Sequence, residues 1–388
     1  MKSKPLAIYI HIPFCIRKCL YCDFLSFAVG SSPDRGWENR KKEYFKALKR
    51  EIEHYAEILP EYEIVSVFFG GGTPSVVSER DIADICMALK TAWKFKEDAE
   101  VTLEANPGTV NSEKFKVYKD IGINRISFGL QSAHDDELKR LGRIHTFSAF
   151  LESYDMARQS GFENINIDLM SGLPGQTVNA WKDTVKKVAV LEPEHISAYG
   201  LIIEDGTPFG KMYGEGGQGV TPLPSEEDER EMYHITKSIL DQYGYHRYEI
   251  SNYAKTGYEC GHNLVYWHRG DYLGLGLGAS SCVSDIRWNN TSVFEKYISP
   301  ETVDFGAEKE TLSDKDQMFE TFMLGLRLAE GVDLKGFAEK FDVDPLKKYG
   351  SLFKKYEGEG LLELKKGCAI LTPKGFDLAD HVILGFME

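Results

Sequence analysis

Short apolar, β-rich runs recur along the first half of the chain at residues 7–12, 64–69, 101–104, 125–128, 164–169 and 195–202, with helical spacing between them. Strands alternating with helices in this way predict a parallel sheet. Six successive units predict a partial (β/α)6 barrel rather than a closed eight-stranded one. Residues 37–59 put Phe45, Leu48, Ile52 and Tyr55 on one helical face and lysine, arginine and glutamate on the other. Ser78 and Asp81 open the next helix as a capping pair, and Ile82, Ile85, Cys86 and Leu89 follow at helical spacing, which reads Cys86 as an inert core thiol.

The pattern loosens after residue 203. Residues 206–224 are rich in glycine and proline and read as a loop, followed by a helix over 225–243 and a strand over 245–250. From about residue 310 the composition changes again. Helices over 318–329, 334–341 and 345–356, then a hairpin over 361–371 turning at Lys365-Lys-Gly367, predict a winged-helix-like α+β domain. The expected divisions are a barrel over 1–225, a barrel extension over 226–309 and the C-terminal domain over 310–388. A winged helix often binds DNA, but fold does not fix function, and the mixed local charge favours a lid or docking role.

Composition narrows the classes. The chain has 388 residues, 42% of them hydrophobic and 27% charged, as in soluble globular proteins. No apolar run approaches the roughly 20 residues needed to span a bilayer. The first 14 residues faintly imitate a signal peptide, but His11 and Pro13 interrupt them, and they read as the first core strand. Seven cysteines, odd in number and mostly isolated, argue against a disulfide framework and for a reducing, cytoplasmic setting. A net charge of −14 disfavours a nucleic-acid partner.

The candidate chemistry lies behind the predicted strands. In a parallel barrel the active site is built from loops at the carboxyl ends of the strands. The first such loop carries Cys15-Ile-Arg-Lys-Cys19-Leu-Tyr-Cys22, three thiols spaced four and three residues apart. Structural zinc takes four ligands and a four-iron cluster commonly four cysteines, so a triplet leaves one coordination position open. The alternatives are a zinc knuckle completed by His11 or a distant residue, and unrelated buried thiols. The other strand ends deliver Gly70-Gly-Gly72-Thr73-Pro-Ser75, Glu104-Ala-Asn106-Pro107, Gly129-Leu-Gln131-Ser132, Asp168 with Gly172-Leu-Pro-Gly175, and Tyr199-Gly200. Residues without Cβ atoms let backbone approach a ligand and offer amide donors. Glu104, Gln131, Arg143 and Asp168 suit ribose hydroxyls, an amino group and a carboxylate.

These motifs resemble the radical S-adenosylmethionine superfamily. More closely, Tyr9-Ile-His-Ile-Pro-Phe-Cys15, Tyr21-Cys22-Asp23-Phe24, Gly70 to Ser75, Gly129 to Ser132 and Gly172-Leu-Pro-Gly-Gln176 resemble the family of oxygen-independent coproporphyrinogen III oxidase and its paralogue, the heme chaperone. The resemblance covers essentially the whole chain. It implies a [4Fe-4S] cluster on Cys15, Cys19 and Cys22, with S-adenosylmethionine chelating the fourth iron and cleaved to methionine and a 5′-deoxyadenosyl radical. It further implies cofactor contacts from Tyr9, Gly71, Glu104 and Tyr21. Gly72, Thr73, Gln131, Arg143, Asp168 and Gly200 fall at positions that serve a second S-adenosylmethionine in the oxidase. The oxidase has a further cysteine two residues after the third ligand, where this chain has Phe24, and it has a longer amino-terminal arm; both differences point to the chaperone branch. The motif His262-Asn263-x-x-Tyr266-Trp267 matches the heme-associated motif of that branch, and histidine is a usual axial ligand of heme iron. His262 is therefore the expected heme ligand, with Cys260 and His268 as decoys or auxiliary ligands, and Cys368 is expected not to be a ligand. The run from Tyr272 to Ser280 imitates a dinucleotide fingerprint but lacks its strand-turn-helix context. It reads as close-packed backbone that, by the resemblance, closes over the cofactor.

The leading expectation is a heme-binding protein that delivers heme to acceptors such as respiratory enzymes, with an electron donor for the cluster. The oxidase itself, decarboxylating two propionates of coproporphyrinogen III, is the alternative, and a radical tRNA-modifying enzyme is a third, disfavoured by charge. The sequence leaves open whether the cofactor is cleaved, and singles out no catalytic side chain.

Overall fold

A computed structural model describes residues 3–30, 35–302 and 305–387. Six strands, β1 (Lys4–Ile12), β2 (Tyr62–Gly71), β3 (Lys94–Ala105), β4 (Arg125–Gln131), β5 (Ile165–Ser171) and β6 (His195–Gly200), lie side by side in chain order. Every neighbouring pair among them is parallel. This is the expected partial barrel.

The helices between the strands cover its outer face. α1 (Arg35–Ile58) buries Phe45, Leu48, Ile52 and Tyr55, and α2 (Glu79–Ala92) buries Ile82, Ile85, Cys86 and Leu89, as their periodicity predicts. Ser78 caps α2 by accepting from the Asp81 N–H at 3.2 Å. α3 (Ser112–Asp120), α4 (Phe147–Gln159) and α5 (Val178–Ala189) continue the layer. Ile8, Ile10, Val67, Phe69, Leu103, Ile126, Phe128, Ile165, Ile167 and Ile196 point outward into one apolar core. Because side chains alternate along a strand, the residues between them face the lumen. Many of these are polar: Ser66, Glu100, Thr102, Glu104, Arg125, Ser127, Asn166, Asp168, His195 and Ser197.

Both edges of the sheet are extended. The stretch read as one strand over 245–250 is two short strands, β7 (His246–Arg247) and β8 (Asn252–Ala254), with β8 antiparallel to β6. The break falls at Glu249, whose buried side chain leaves the ladder while its backbone bridges to Leu328. The loop over 206–224 contains a turn of helix, Pro208–Tyr213, capped by Thr207. After α6 (Glu226–Gln242) and α7 (Gly261–Trp267), β9 (Tyr272–Leu275) pairs parallel to β1 at the opposite edge. β10 (Ser280–Val283), β11 (Ile286–Asn290) and β12 (Gly306–Thr311) complete a 12-stranded sheet. Residues 272–280 are close-packed, as expected: a Cβ on Gly274 would lie 2.2 Å from the Ser280 carbonyl oxygen. Ala7 to Ile10 pair in parallel with Tyr272 to Leu275 beside the six barrel strands.

A second apolar core gathers Phe322, Phe337, Phe353 and Tyr356 from α8 (Asp314–Gly325), α9 (Leu334–Phe341) and α10 (Gly350–Gly358), together with Tyr349. Phe386 stacks on Phe322 with ring centroids 4.3 Å apart and closes this core. The stretch expected as one helix over 345–356 is broken at Tyr349 into Pro345–Lys348 and α10. β14 (Leu362–Lys365) and β15 (Cys368–Leu371) form the expected hairpin, joined by β13 (Val332–Asp333). Arg269 binds Glu320 at 3.0 Å and Asp285 at 2.8 Å, tying α8 to the barrel extension.

Candidate functional site

The strand-end loops surround one cavity of about 610 Å³, a size usual for ligand sites. Cys15, Cys19, Cys22, Tyr21, Gly71, Gly72, Thr73, Glu104, Gln131, Arg143, Asp168 and Gly200 all line it. Two expected site residues do not. Tyr9, on the lumen face of β1, stacks on Phe68 of the lining and has its hydroxyl 3.1 Å from His11 Nδ1, and His262 is buried beneath the floor.

The cysteine loop is held from several sides. Phe14 and Cys15 pair in parallel with Phe27 and Ala28. The Leu20 N–H donates to the Leu141 carbonyl at 3.0 Å, and the Thr73 N–H donates to the Phe14 carbonyl at 2.8 Å. Thr73 Oγ1 donates to Cys15 Sγ, and Arg143 donates to Cys19 Sγ, both at 3.5 Å. Burial pushes the Cys15 thiol up and the Cys22 thiol up to about 11.

This donor set fits an iron–sulfur cluster better than zinc. Among the described residues no three His, Cys, Asp or Glu side chains stand close enough to share one ion. Three cysteines spread round a cavity wall suit three irons of a cluster, and donors to sulfur are among the contacts that tune such clusters. His11 does not complete a knuckle: Tyr9 takes Nδ1 and the Leu25 carbonyl lies 2.8 Å from Nε2.

The glycine turn does a different job from the one expected. The Gly72 N–H donates to the Ile12 carbonyl at 2.9 Å, so its amide pins the cysteine loop instead of facing a ligand. Gly71 has φ +108°, and a Cβ there would lie 2.6 Å from the His11 ring. Its N–H meets the Glu104 carboxyl, which burial and then the neighbouring Asp168 charge raise to about 8.

Across the cavity, Arg143 donates to Asn106 Oδ1 at 2.9 Å and to the Gly129 carbonyl. A side chain on Gly129 would displace that guanidinium, since its Cβ would lie 2.8 Å from Arg143 Nη2. Gln131 has φ +74° at a register shift between β4 and β5. Such backbone strain in a non-glycine residue tends to collect at functional sites. Asp168 accepts from Asn166 at 2.7 Å and from Ser127 at 3.0 Å.

The floor is α7. Glu100 accepts from the Gly261 and His262 N–H groups, so a carboxylate sits at the helix N-terminus, where the dipole favours it. His262 Nδ1 lies 2.9 Å from Ser66 Oγ and Nε2 lies 3.1 Å from the Tyr266 hydroxyl. Burial lowers the ring to about 4, so it is neutral. Cys260 is buried with its Sγ donating to Glu100 at 3.3 Å, its thiol pushed up by burial to about 12. His268 is exposed and pairs with Glu330. Neither lines the cavity. Asn263 does, as do Asn106, Arg125, Ser127, Asn166, Ser197 and Ser251, none of them assigned a role of its own from the sequence. Their signal was present: polar residues at alternate positions of strands that are covered on the outside mark a polar lumen.

Residues 9–188 match the model of the radical SAM superfamily, and residues 312–378 match the HemN C-terminal domain. The heme chaperone HemW of Bacillus subtilis is 37% identical over 389 residues, covering 98% of each chain. That of Escherichia coli is 37% identical over 336 residues, covering 85% of this chain and 84% of the relative. The fold also matches the solved coproporphyrinogen III oxidase HemN from Escherichia coli, a radical SAM enzyme, with a TM-score of 0.85 over 100% of this chain and 91% of that one at 23% identity. With that identity over nearly the whole of both chains and the superfamily model matched across the barrel, the chain belongs to the HemW family of the radical SAM superfamily.

Proposed function

We propose that this protein is a heme chaperone that binds a [4Fe-4S] cluster through Cys15, Cys19 and Cys22, binds S-adenosylmethionine beside it, and transfers heme to acceptor proteins. The observation that carries the reading is the shared cavity, which brings the three thiols together with Glu104, Gln131, Arg143, Asp168 and Gly200. The bound cluster would supply one-electron chemistry toward S-adenosylmethionine, given an external electron donor. The chain's own residues position and shield. Thr73 and Arg143 hydrogen-bond to sulfur, and Glu104, with Asp168 near it, offers acceptors to an amino group or ribose hydroxyls.

For heme, the reading takes His262 as the iron ligand. Its Nε2 is bonded to Tyr266 and its ring is buried, so ligation requires that bond to open. Phe24, on the cavity lip and 61% exposed, occupies the position of the oxidase's extra cysteine and supports the chaperone branch. The acceptors are proposed to be heme enzymes such as those of respiration. A cytoplasmic setting is proposed with it; among the described residues no helix is long and apolar enough to cross a membrane.

The test is anaerobic purification and reconstitution, with iron, sulfide and heme counted per chain. About four irons, one heme and transfer of that heme to an apo-acceptor are expected. Loss of heme in His262→Ala with retention in His268→Ala supports the ligand assignment, and Tyr266→Phe should strengthen binding by freeing Nε2. Conversion of coproporphyrinogen III with consumption of S-adenosylmethionine overturns the chaperone reading in favour of the oxidase. Zinc without iron overturns both.

A further inference from the structure

Arg125 is 2% exposed, at the start of β4, and lines the cavity wall. Its guanidinium has no hydrogen bond and no ion pair among the described residues, and Nε is fully buried without a partner. That is unusual, because a buried charge is costly unless paired.

The surrounding groups are already engaged with one another. Both Glu100 oxygens accept from α7, at 3.0 Å from the Gly261 N–H and 3.2 Å from the His262 N–H. Asp168 is satisfied by Asn166 and Ser127. His195 is held between Asn166 at 2.6 Å and the Tyr248 hydroxyl at 2.8 Å, and Ser197 donates to Asn166 at 3.1 Å. Burial works against the charge of Arg125, and the nearby Glu100 and Asp168 carboxylates favour it. The result is a charged planar fork with free donors, set among Glu100, Asp168, Asn166, His195 and Ser197, which are bonded to other groups.

Its depth limits what can reach it. Arg125, Ser127 and Gly129 alternate onto the lumen face of β4, so the Cα of Arg125 lies about 13 Å along the strand from that of Gly129, at ~3.3 Å per residue. Gly129 marks the level of Arg143 and the cysteine loop. A ligand meeting Arg125 therefore reaches into the lumen, which Asn263 of the floor also lines.

We propose that Arg125 is the anchor for a carboxylate of the cargo, a propionate of the tetrapyrrole, bound by the guanidinium fork in the barrel lumen. A carboxylate matches that fork in shape and charge. A single negative charge is also better tolerated than a phosphate dianion between Glu100 and Asp168. The assignment rests on the heme-binding reading above and deepens it. The other source of the same chemistry is the carboxylate of S-adenosylmethionine.

The test uses the full-length protein with its cluster reconstituted. Wild type, Arg125→Gln and Arg125→Lys are titrated with heme, with heme dimethyl ester, whose propionates are masked, and with S-adenosylmethionine. Wild type should bind heme about 10- to 100-fold more tightly than the ester, the worth of one charge-assisted hydrogen-bonded contact. Arg125→Gln should bring heme down to the level of the ester and leave the ester unchanged, and Arg125→Lys should recover part of the difference. Equal binding of heme and ester by wild type overturns the assignment even if a variant fails to fold. So does an equal loss of both ligands in Arg125→Gln, which marks a merely structural role, or a loss confined to S-adenosylmethionine, which gives the guanidinium to the cofactor. Wild type that binds neither tetrapyrrole overturns the heme-chaperone reading and this assignment together.

Discussion

Glu100 reaches from β3 to the N-terminus of α7, where its carboxylate accepts from the backbone N–H of His262 at 3.2 Å. The same carboxylate holds Gly261 and Cys260, so one side chain fastens three successive residues at the start of the segment carrying the heme-associated motif, beside Ser66, which meets His262 Nδ1 at 2.9 Å. Glu100→Gln keeps the shape and removes the charge that meets the helix dipole and the nearby Arg125. It should lower stability by about 1–2 kcal/mol, read as a shift of the urea midpoint at unchanged slope.

Gly71 and Gly108 both have positive φ but differ in surroundings. A Cβ on Gly108 would meet nothing within 4 Å, whereas one on Gly71 would run into the His11 ring at 2.6 Å. Gly108→Ala should cost only the backbone strain, about 1 kcal/mol. Gly71→Ala adds a clash in a packed wall and should cost about 2–4 kcal/mol. Equal losses in denaturant titrations would refute the distinction.

Glu104 keeps its proton in the folded state up to about pH 8, against an ordinary value of 4.5. Its favourable contribution is therefore complete below pH 4.5, declines as the unfolded chain ionises, and is lost once pH passes 8. The cluster-free protein should lose stability across that window, and Glu104→Gln should flatten the slope of Tm against pH. A slope unchanged in the variant would assign the effect elsewhere, for example to Glu51, which burial also raises to about 8.

Loading of iron should release protons, because Cys22 is protonated up to about pH 11 and a ligating thiol is deprotonated. Affinity for iron should rise with pH between about 6 and 9. Alanine at Cys15, Cys19 or Cys22 should abolish cluster absorbance, and alanine at Cys86 or Cys368 should leave it unchanged. Cluster retained in any of the three variants would exclude that residue as a ligand.

Much of this was legible in the sequence because its signals are periodic or local. The six barrel strands and the outward faces of α1 and α2 follow from apolar spacing, and the cavity residues follow from their place behind strands. The features that escaped depend on tertiary structure. β10 and β11 turn at Ser284 and Asp285, both at positive φ, and that pair lacks the Asn-Gly or Asp-Gly signature of a tight hairpin. Glu249 interrupts an apparently single strand because its backbone is captured by Leu328, far along the chain. Glycines 71 and 72 look like ligand-facing donors in sequence, yet their amides are spent on Glu104 and the Ile12 carbonyl. Arg125 was hidden in an apolar run, where only strand alternation reveals its inward face.

The bonds that bracket the cysteine loop carry an entropic consequence. The Phe27 and Val29 amides donate to the Pro13 and Cys15 carbonyls, both at 2.8 Å, and Leu20 and Thr73 fix the loop from two other directions. Its conformational freedom is surrendered when the barrel folds, not when metal arrives. Cluster assembly here is therefore an insertion into a preformed frame, unlike a zinc finger, whose metal supplies the folding free energy. Loss of the cluster to oxygen would leave the protein folded and ready to be reloaded.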